Sequence, residues 1–325
     1  MLSARRLPFR ARAALCGALM LLPLAAARSQ MIDDGIMMSK QQYCAGDMYT
    51  HDQWTSYWEG TYKRQNGNIG TVTTQTNLFY ADLGITDRLN LIIEVPKVWT
   101  HASQGVLHDM DGFQDLMLAA KIRLLNRPVT KYGRLSFIVE GIATIPMTDY
   151  EPDFEPLSIG THSKSIAERT TVNYQSHAGW FVNASAAYTW RRHVTLDQPY
   201  YYTEGQFFDT SFVQMPNVFN YIASAGYYKH DWKVELTFSQ QNTQGGGDIR
   251  PQDFPFVSNR VNYTRPGINV MVPIKKFHLN GLSAMVDYSQ VDYGRNVGQS
   301  FTVTTGLLYT GHYPLPGSNK WSKRP

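Results

Sequence analysis

The sequence predicts an all-β fold: a transmembrane antiparallel up-and-down β-barrel of about 12 strands. Three observations indicate this class: a segment with aromatic ends, a series of similar segments, and connections that alternate between short and long. The first segment places six apolar side chains on one face, at Trp180, Val182, Ala184, Ala186, Tyr188 and Trp190. Ten steps of about 3.3 Å, tilted by about 40°, rise about 25 Å, the height of the apolar band of an outer-membrane barrel.

The amino-acid composition agrees with this class without selecting it. The chain has 20 Tyr, 15 Phe and 7 Trp against 17% charged residues. Aromatic excess is typical of the girdles at membrane interfaces, and β-sandwiches are rich in aromatics too. A net charge of +4 would also suit an ordinary soluble domain, so the decision rests on the pattern along the chain.

Residues 1–27 are predicted to be a cleaved signal peptide. Four arginines precede an apolar run from Ala13 to Leu24, and three alanines follow it as small residues for cleavage. The run is too short for a transmembrane helix, and no later stretch has about 18 consecutive apolar residues. Because Cys16 leaves with the peptide, Cys44 remains alone and no intramolecular disulfide is expected.

Residues 28–51 are predicted to be a periplasmic N-terminal segment or plug. The stretch collects soft ligand atoms at Met37, Met38, Cys44, Met48 and His51. Sulfur atoms with an imidazole suit Cu(I), but no recognised ligand spacing is present and Met packs readily beside aromatic rings. We therefore predict no metal and no cofactor, and prefer a periplasmic plug or packing against the barrel mouth over a metal site. Partial folding of the same stretch inside the lumen as a gate is an open alternative.

Residues 52–313 are assigned to the barrel, because twelve segments in this range alternate apolar and polar side chains. The third segment illustrates the pattern, with Leu89, Leu91 and Ile93 on one face. In order, the segments span 52–63, 69–83, 88–100, 112–124, 134–146, 165–176, 180–190, 217–229, 232–241, 260–274, 279–291 and 300–313.

The connections separate by length. Short ones are predicted at 86–87, 126–132, 177–179, 230–231 and 275–278, and long ones at 101–111, 147–164, 194–216, 242–259 and 292–299. A soluble sandwich has no reason to alternate loop lengths, whereas bacterial outer-membrane barrels have short periplasmic turns and long external loops. With an even strand number, both termini are expected to be periplasmic, including a tail at 314–325.

Two hairpin sequences resemble a known family. They are YADLGITDRLNLIIEVPKV (80–98) and DGFQDLMLAAKIRLL (111–125), with a G-[IL]-T-D-R turn followed by a G-x-x-D-L strand start. These motifs are similar to those of the predicted-transporter family of outer-membrane barrels named for the MetA pathway of phenol degradation. Further stretches, among them GTVTTQ, PLSIG and GRNVGQS, look like a branch of uncharacterised predicted transporters. The resemblance implies the barrel fold and carries no functional residue.

The inward faces of the predicted strands carry five acidic and five basic side chains. These candidate lumen-lining residues are Glu94, Asp115, Lys121, Arg123, Glu140, Arg169, Arg191, Lys233, Glu235 and Asp287. Such charges either line a narrow polar path or pair with one another as a structural lattice, which is the preferred interpretation. A balanced wall argues against strong selection between anions and cations, because rings of one sign are what select.

The outward faces end in aromatic side chains. The predicted membrane-interface girdle comprises Trp99, Trp180, Tyr188, Trp190, Tyr227, Trp232 and Tyr309. We therefore predict localisation in the outer membrane of a Gram-negative bacterium. The expected partners are outer-membrane lipid, the barrel-assembly machinery and a small solute, with no nucleic acid.

The sequence predicts a non-enzymatic channel or transporter that passes small solutes, hydrophobic or aromatic ones included, by diffusion through a polar lumen. One alternative is a closed barrel that serves as a surface receptor or structural protein, because the loops at 197–210 and 251–259 are rich in aromatics. Inward folding of these loops to constrict the pore is preferred. A second alternative is an outer-membrane lipid hydrolase, with His193 as the best-placed base, although it has no evident Ser partner.

Overall fold

The computed structural model describes residues 34–250, 255–275 and 281–314. The predicted signal peptide and all but the first residue of the predicted tail lie outside these ranges. Regular structure in the described ranges consists of β-strands, without helices. No described segment is therefore a helix of the length and apolarity needed to cross a membrane.

Twelve antiparallel strands form a closed barrel, as predicted. From the first to the twelfth they are Gln42–Trp54, Val72–Thr86, Leu89–Ala102, Asp115–Thr130, Gly133–Pro146, Ser165–Ser176, Trp180–Arg191, Val218–Lys229, Trp232–Thr243, Asn262–Pro273, Leu282–Gln290 and Phe301–His312. Each strand pairs with its neighbours in the chain. The first strand pairs with the twelfth from Gln42↔His312 to Gln53↔Phe301, which closes the sheet and leaves no open edge.

Eight shorter strands decorate the long connections. Met110–Phe113 pairs with the third barrel strand and Tyr293–Arg295 with the tenth. The others form small two-stranded sheets, Ser56–Glu59 with Tyr62–Gln65, Val194–Thr195 with Phe212–Val213, and Tyr201–Thr203 with Gln206–Phe208. All of them belong to one end of the barrel, which we call the loop end, and the opposite end is the turn end.

The predicted start of the barrel was wrong. The first strand begins at Gln42 instead of residue 52, so much of the predicted N-terminal segment 28–51 is barrel wall. The aromatics of the predicted strand 52–63 belong partly to the loop hairpin Ser56–Glu59 and Tyr62–Gln65. With this correction, a long connection at residues 55–71 joins the first two strands, and long and short connections alternate around the whole barrel.

Side chains alternate between an exposed outer face and a buried inner face. On the seventh strand Trp180 and Val182 are 64% and 54% exposed, whereas Phe181 and Asn183 are only 4% and 3% exposed. In a closed barrel the face with little exposure points into the lumen. The outer face is thus apolar and open to its surroundings, as a lipid-facing wall requires.

The predicted girdle residues lie on the outer face in two groups. Trp180, Tyr227, Trp232 and Tyr309 are near the turn end, and Trp99, Tyr188 and Trp190 are near the loop end. Rings within each group are in contact, with centroids 5.3 Å apart for Trp180 and Tyr227 and 4.9 Å apart for Tyr188 and Trp190. Their role as membrane anchors stays a prediction.

A charged substitution on the outer face tests whether that face meets lipid. Leu236 lies on the ninth strand and is 62% exposed. We expect Leu236→Arg to lower the free energy of unfolding in lipid by about 2–4 kcal/mol, because a cation near the bilayer midplane loses its hydration. Phe207→Arg is a matched control on a loop, since Phe207 is 61% exposed. Urea titration in liposomes should show a larger loss of unfolding free energy for Leu236→Arg than for Phe207→Arg. Small and equal losses in both variants would contradict a lipid-facing wall.

Candidate functional site

A short N-terminal segment, residues 34–39, lies inside the barrel; we call it the plug segment. Asp34 is 3% exposed and contacts two opposite parts of the wall. Its Oδ1 is 3.5 Å from the Nζ of Lys121 on the fourth strand, and its Oδ2 is 3.6 Å from the Nζ of Lys233 on the ninth strand. Lys121 also donates to the main-chain oxygen of Asp34 at 2.7 Å. Side chains from strands so far apart in the sheet meet only through the lumen.

Two glycines allow the plug segment to approach the wall closely. A side chain on Gly35 would collide with Asn173 and Asn183 on the sixth and seventh strands. A side chain on Gly84 would collide with the main chain of Ser39 and with Met38. The plug segment therefore crosses the lumen from the second strand to the sixth and seventh. The Gln41 N–H donates one hydrogen bond of 2.8 Å to the Gly84 main-chain oxygen, which holds the chain after the plug segment at the turn end.

The sulfur-containing residues of the N-terminus pack in an apolar cluster. Met38, Cys44 and Met48 are almost fully buried, with further members Tyr80, Ile92, Ala119, Met271, Met285 and Leu308. Met37 is also buried, and His51 bonds through Nε2 to Gln53 at 3.3 Å. The sulfur-containing side chains contribute to packing between the plug segment and the inner face, which places a mostly apolar surface inside the lumen. His51 lies on the opposite, outer face of the first strand, beside Phe301, and is not part of this cluster.

Five of the predicted lumen residues form one charged network around Asp34. Lys121 is 3.4 Å from Glu140, which is 3.8 Å from Arg169, and Lys233 is 2.6 Å from Glu235. Lys121 and Glu140 are completely buried. Because unpaired buried charges are costly, each buried lysine needs an acidic partner on the wall, Glu140 for Lys121 and Glu235 for Lys233, and the plug carboxylate joins these two halves of the network.

The other five candidate residues have contacts or positions elsewhere on the inner face. Asp115 accepts a hydrogen bond of 2.6 Å from Tyr150, and Asp287 accepts one of 3.4 Å from Asn269. Arg123 donates to the main-chain oxygen of Asp87 near the turn end. Glu94 lies opposite Tyr80 and Met117 in the sheet, and Arg191 lies at the loop end of the seventh strand. All ten residues alternate with outward-facing neighbours, and their role in solute passage stays a prediction.

The loop at residues 147–164 narrows the lumen at the loop end. Leu157 is fully buried against Val72 and Ala102, and its main-chain oxygen accepts a 2.6 Å hydrogen bond from Thr100. Ile159 and Tyr150 pack on Val98 in the same way. These wall residues are on the inner face, so the loop inserts into the barrel. The sequence predicts a long connection at 147–164 but not its insertion into the barrel, because its apolar residues show no strand or helix period.

The aromatic loop at 197–210 takes a different position from the one predicted. Tyr200, Tyr202 and Phe207 are 51%, 54% and 61% exposed, so these rings do not form a lid inside the pore. Residues 251–254 of the second aromatic loop lie outside the described residues. The His193 imidazole packs on the Phe212 ring, with centroids 4.9 Å apart. This aromatic contact favours the interpretation of His193 as an interfacial side chain over its interpretation as a general base.

Comparisons with known proteins identify similar sequences and folds. A family model described as "Putative MetA-pathway of phenol degradation" matches residues 64–305. No curated protein sequence matches the chain. The COG4313 outer membrane channel from Pseudomonas putida F1 is 14% identical, with a TM-score of 0.67, and the alignment covers 86% of this chain and 100% of that one.

Two further structures are more distant. The NanC porin is 8% identical, with 83% of this chain and 100% of that chain covered and a TM-score of 0.47. The translocator domain of the autotransporter NalP from Neisseria meningitidis is 11% identical, with 92% and 96% covered and a TM-score of 0.44. At 14% identity, the similarity to the COG4313 channel shows a shared barrel fold.

Proposed function

The chain belongs to the family described as "Putative MetA-pathway of phenol degradation", and we propose that it is an outer-membrane channel for small solutes. The closed barrel that it shares with an outer membrane channel supports this proposal, as do the apolar outer face and the polar groups inside. The chain is proposed to lie in a Gram-negative outer membrane with the turn end and both termini on the periplasmic side.

One observation carries the proposal: Asp34 bridges Lys121 and Lys233 across the lumen. The two contacts of Asp34 hold the plug segment inside the lumen, while residues 34–39 belong to no barrel strand. Departure of the plug segment from the lumen therefore breaks no strand pairing of the described barrel. We therefore propose that it gates the channel at the turn end.

Passage through this channel requires no bond chemistry. Once the plug segment leaves, Lys121 keeps Glu140 and Lys233 keeps Glu235 as partners, so the wall stays balanced in charge and weakly ion-selective. The apolar cluster beneath the plug segment, including Met48 and Ile92, then faces the lumen. An inner wall of this kind favours uncharged solutes with apolar parts over inorganic ions.

A solute-flux experiment on liposomes tests the proposed channel. We expect a deletion of residues 34–39 to increase the uptake of small neutral solutes severalfold over the unaltered chain, because the lumen loses its internal obstruction. Heat-dependent gel mobility would verify that the deleted chain still folds as a barrel. Absence of uptake by both chains, each folded, would contradict a channel.

A closed receptor-type barrel is the second candidate function. It is favoured by the insertion of Leu157 and Ile159 at the loop end, which narrows the lumen opposite the plug segment. The same experiment distinguishes the two functions, since a receptor barrel stays impermeable after the plug segment is deleted.

A further inference from the structure

The long connections form a cavity of about 250 Å³ at the loop end that is partly open to its surroundings and lies apart from the charged network in the lumen. It lies where the connections at 55–71, 103–109, 147–164, 244–261 and 291–300 meet. The side chains that matter for its chemistry are Trp54, Tyr57, Asn66, Leu107, Glu155 and Val297. An apolar cavity of about 150 Å³ holds one benzene molecule, so this cavity accommodates one aromatic ring with a substituent.

Aromatic and aliphatic side chains form one side of the cavity. The rings of Trp54 and Tyr57 are 6.0 Å apart and inclined by 56°, which leaves two ring faces of different orientation. Trp54 is held from behind by the buried cluster of Val72, Ala102 and Leu157. Rigid aromatic walls of this kind suit the faces and edges of a second aromatic ring.

Two polar groups in the cavity wall have bonding capacity to spare. The Nδ2 of Asn66 is buried and has no hydrogen-bond partner among the described residues, while its Oδ1 accepts from the main chain of Ile69 at 3.4 Å. The Glu155 carboxylate receives no hydrogen bond within the part of the chain that the structure describes. Burial raises the pKa of this carboxyl to about 7. The cavity therefore offers one donor and one acceptor to an occupant.

Two charged side chains of the cavity wall have contacts elsewhere: Glu59 is 2.6 Å from Arg64, and Arg250 donates to the main-chain oxygen of Glu204 at 3.1 Å. An anionic occupant would lose hydration and lie beside the Glu155 carboxylate, which makes its transfer costly. A neutral occupant with a hydroxyl group loses less, because a hydroxyl both donates and accepts.

We propose that this cavity is a binding site for small neutral aromatic alcohols. The ring lies against Trp54 and Tyr57, and the hydroxyl group bonds to Glu155 or Asn66. The site selects solutes where the long connections meet the barrel, before they reach the plug segment. The inference that these alcohols are solutes of the channel rests on the proposed function. Their binding to the cavity does not depend on whether the channel conducts.

Calorimetric titration of the full chain in detergent tests the site with benzyl alcohol as the probe. Toluene lacks the hydroxyl group and should bind at least about tenfold more weakly than benzyl alcohol, because a hydrogen bond to a charged group accounts for an affinity difference of this size. Cyclohexylmethanol lacks the aromatic ring and should also bind at least about tenfold more weakly. Benzoate should not bind. Affinity for benzyl alcohol should increase from pH 6 to pH 8 as Glu155 ionises, because a carboxylate accepts a stronger hydrogen bond.

Two variants make the result specific to this cavity. Glu155→Gln should weaken benzyl alcohol about tenfold and leave toluene unchanged, and Leu107→Trp should abolish both by filling the cavity. Folding of each variant is verified by gel mobility. Absence of saturable binding, or equal affinity in Glu155→Gln, would overturn the site. Failure to bind leaves the channel proposal intact, and failure of solute flux leaves the binding site intact, so the two outcomes are distinguishable.

Discussion

Asp34→Ala is expected to raise the open probability of the protein in planar bilayers about tenfold. The substitution removes the carboxylate that joins Lys121 to Lys233 across the lumen. Loss of about 1.4 kcal/mol of interaction shifts a two-state equilibrium tenfold. The barrel itself should unfold as before, because both lysines keep a second acidic partner. Single-channel recording is the measurement.

Asp47→Ala is the matched control for this prediction. Asp47 is on the first strand, near the plug segment in the chain, but its side chain is exposed on the outer face. It should leave the open probability unchanged. If both aspartate variants conduct alike, the plug carboxylate does not hold the gate.

The second large effect is expected from Lys121→Met, which should lower the free energy of unfolding by about 3 kcal/mol. The lysine is completely buried between Asp34 and Glu140, and removal of one partner leaves uncompensated charge inside the barrel. Urea titration in liposomes, followed by gel mobility, measures the loss. Conduction should rise as well, because Asp34 loses its main-chain contact with this side chain.

A double variant separates burial of charge from loss of packing. Lys121→Met with Glu140→Gln removes both charges of the pair, so we expect it to recover much of the lost free energy. Arg169 is partly exposed, with 12% side-chain accessibility, and tolerates the loss of Glu140 better than a fully buried cation. A double variant as unstable as the sum of the single variants would indicate that the pair is not coupled.

Local alternation was sufficient to predict most of the barrel. Strands such as Leu89–Ala102 and Trp180–Arg191 place mostly apolar side chains outside and many polar or small ones inside, with Ile92 and Phe181 as inward exceptions, and this alternation assigns the two faces from sequence. The first strand, Gln42–Trp54, escaped because its outer face includes Asp47 and its inner face includes Cys44 and Met48. Where the plug segment packs on this strand, the apolar side chains lie on the inner face and a charged one lies on the outer face. This order is opposite to that of the other strands, so the sequence predicted a terminal segment here.

The site was predictable only in part. Alternation identified the charges on the inner face, including Lys121, Glu140 and Lys233, but the carboxylate that unites them comes from Asp34, which belongs to no periodic segment. Contacts between a non-repeating segment and several strands depend on closure of the barrel, and no spacing within the sequence encodes them. The insertion of Leu157 into the loop end escaped prediction for the same reason.

The most direct test of the account is a reversible tether between the plug segment and the wall. Gly35→Cys and Asn173→Cys, in a Cys44→Ala background, place two thiols where Gly35 now touches Asn173. A Cβ atom on Gly35 would lie 2.4 Å from the Cβ atom of Asn173. A disulfide needs these two atoms about 3.8 Å apart, so the plug segment has to move away from the wall by more than about 1 Å to form it. The account predicts a closed oxidised protein whose conductance appears on addition of a reductant, in the same bilayer. Equal conductance before and after reduction, with the disulfide verified by mass spectrometry, would contradict a plug that gates the lumen.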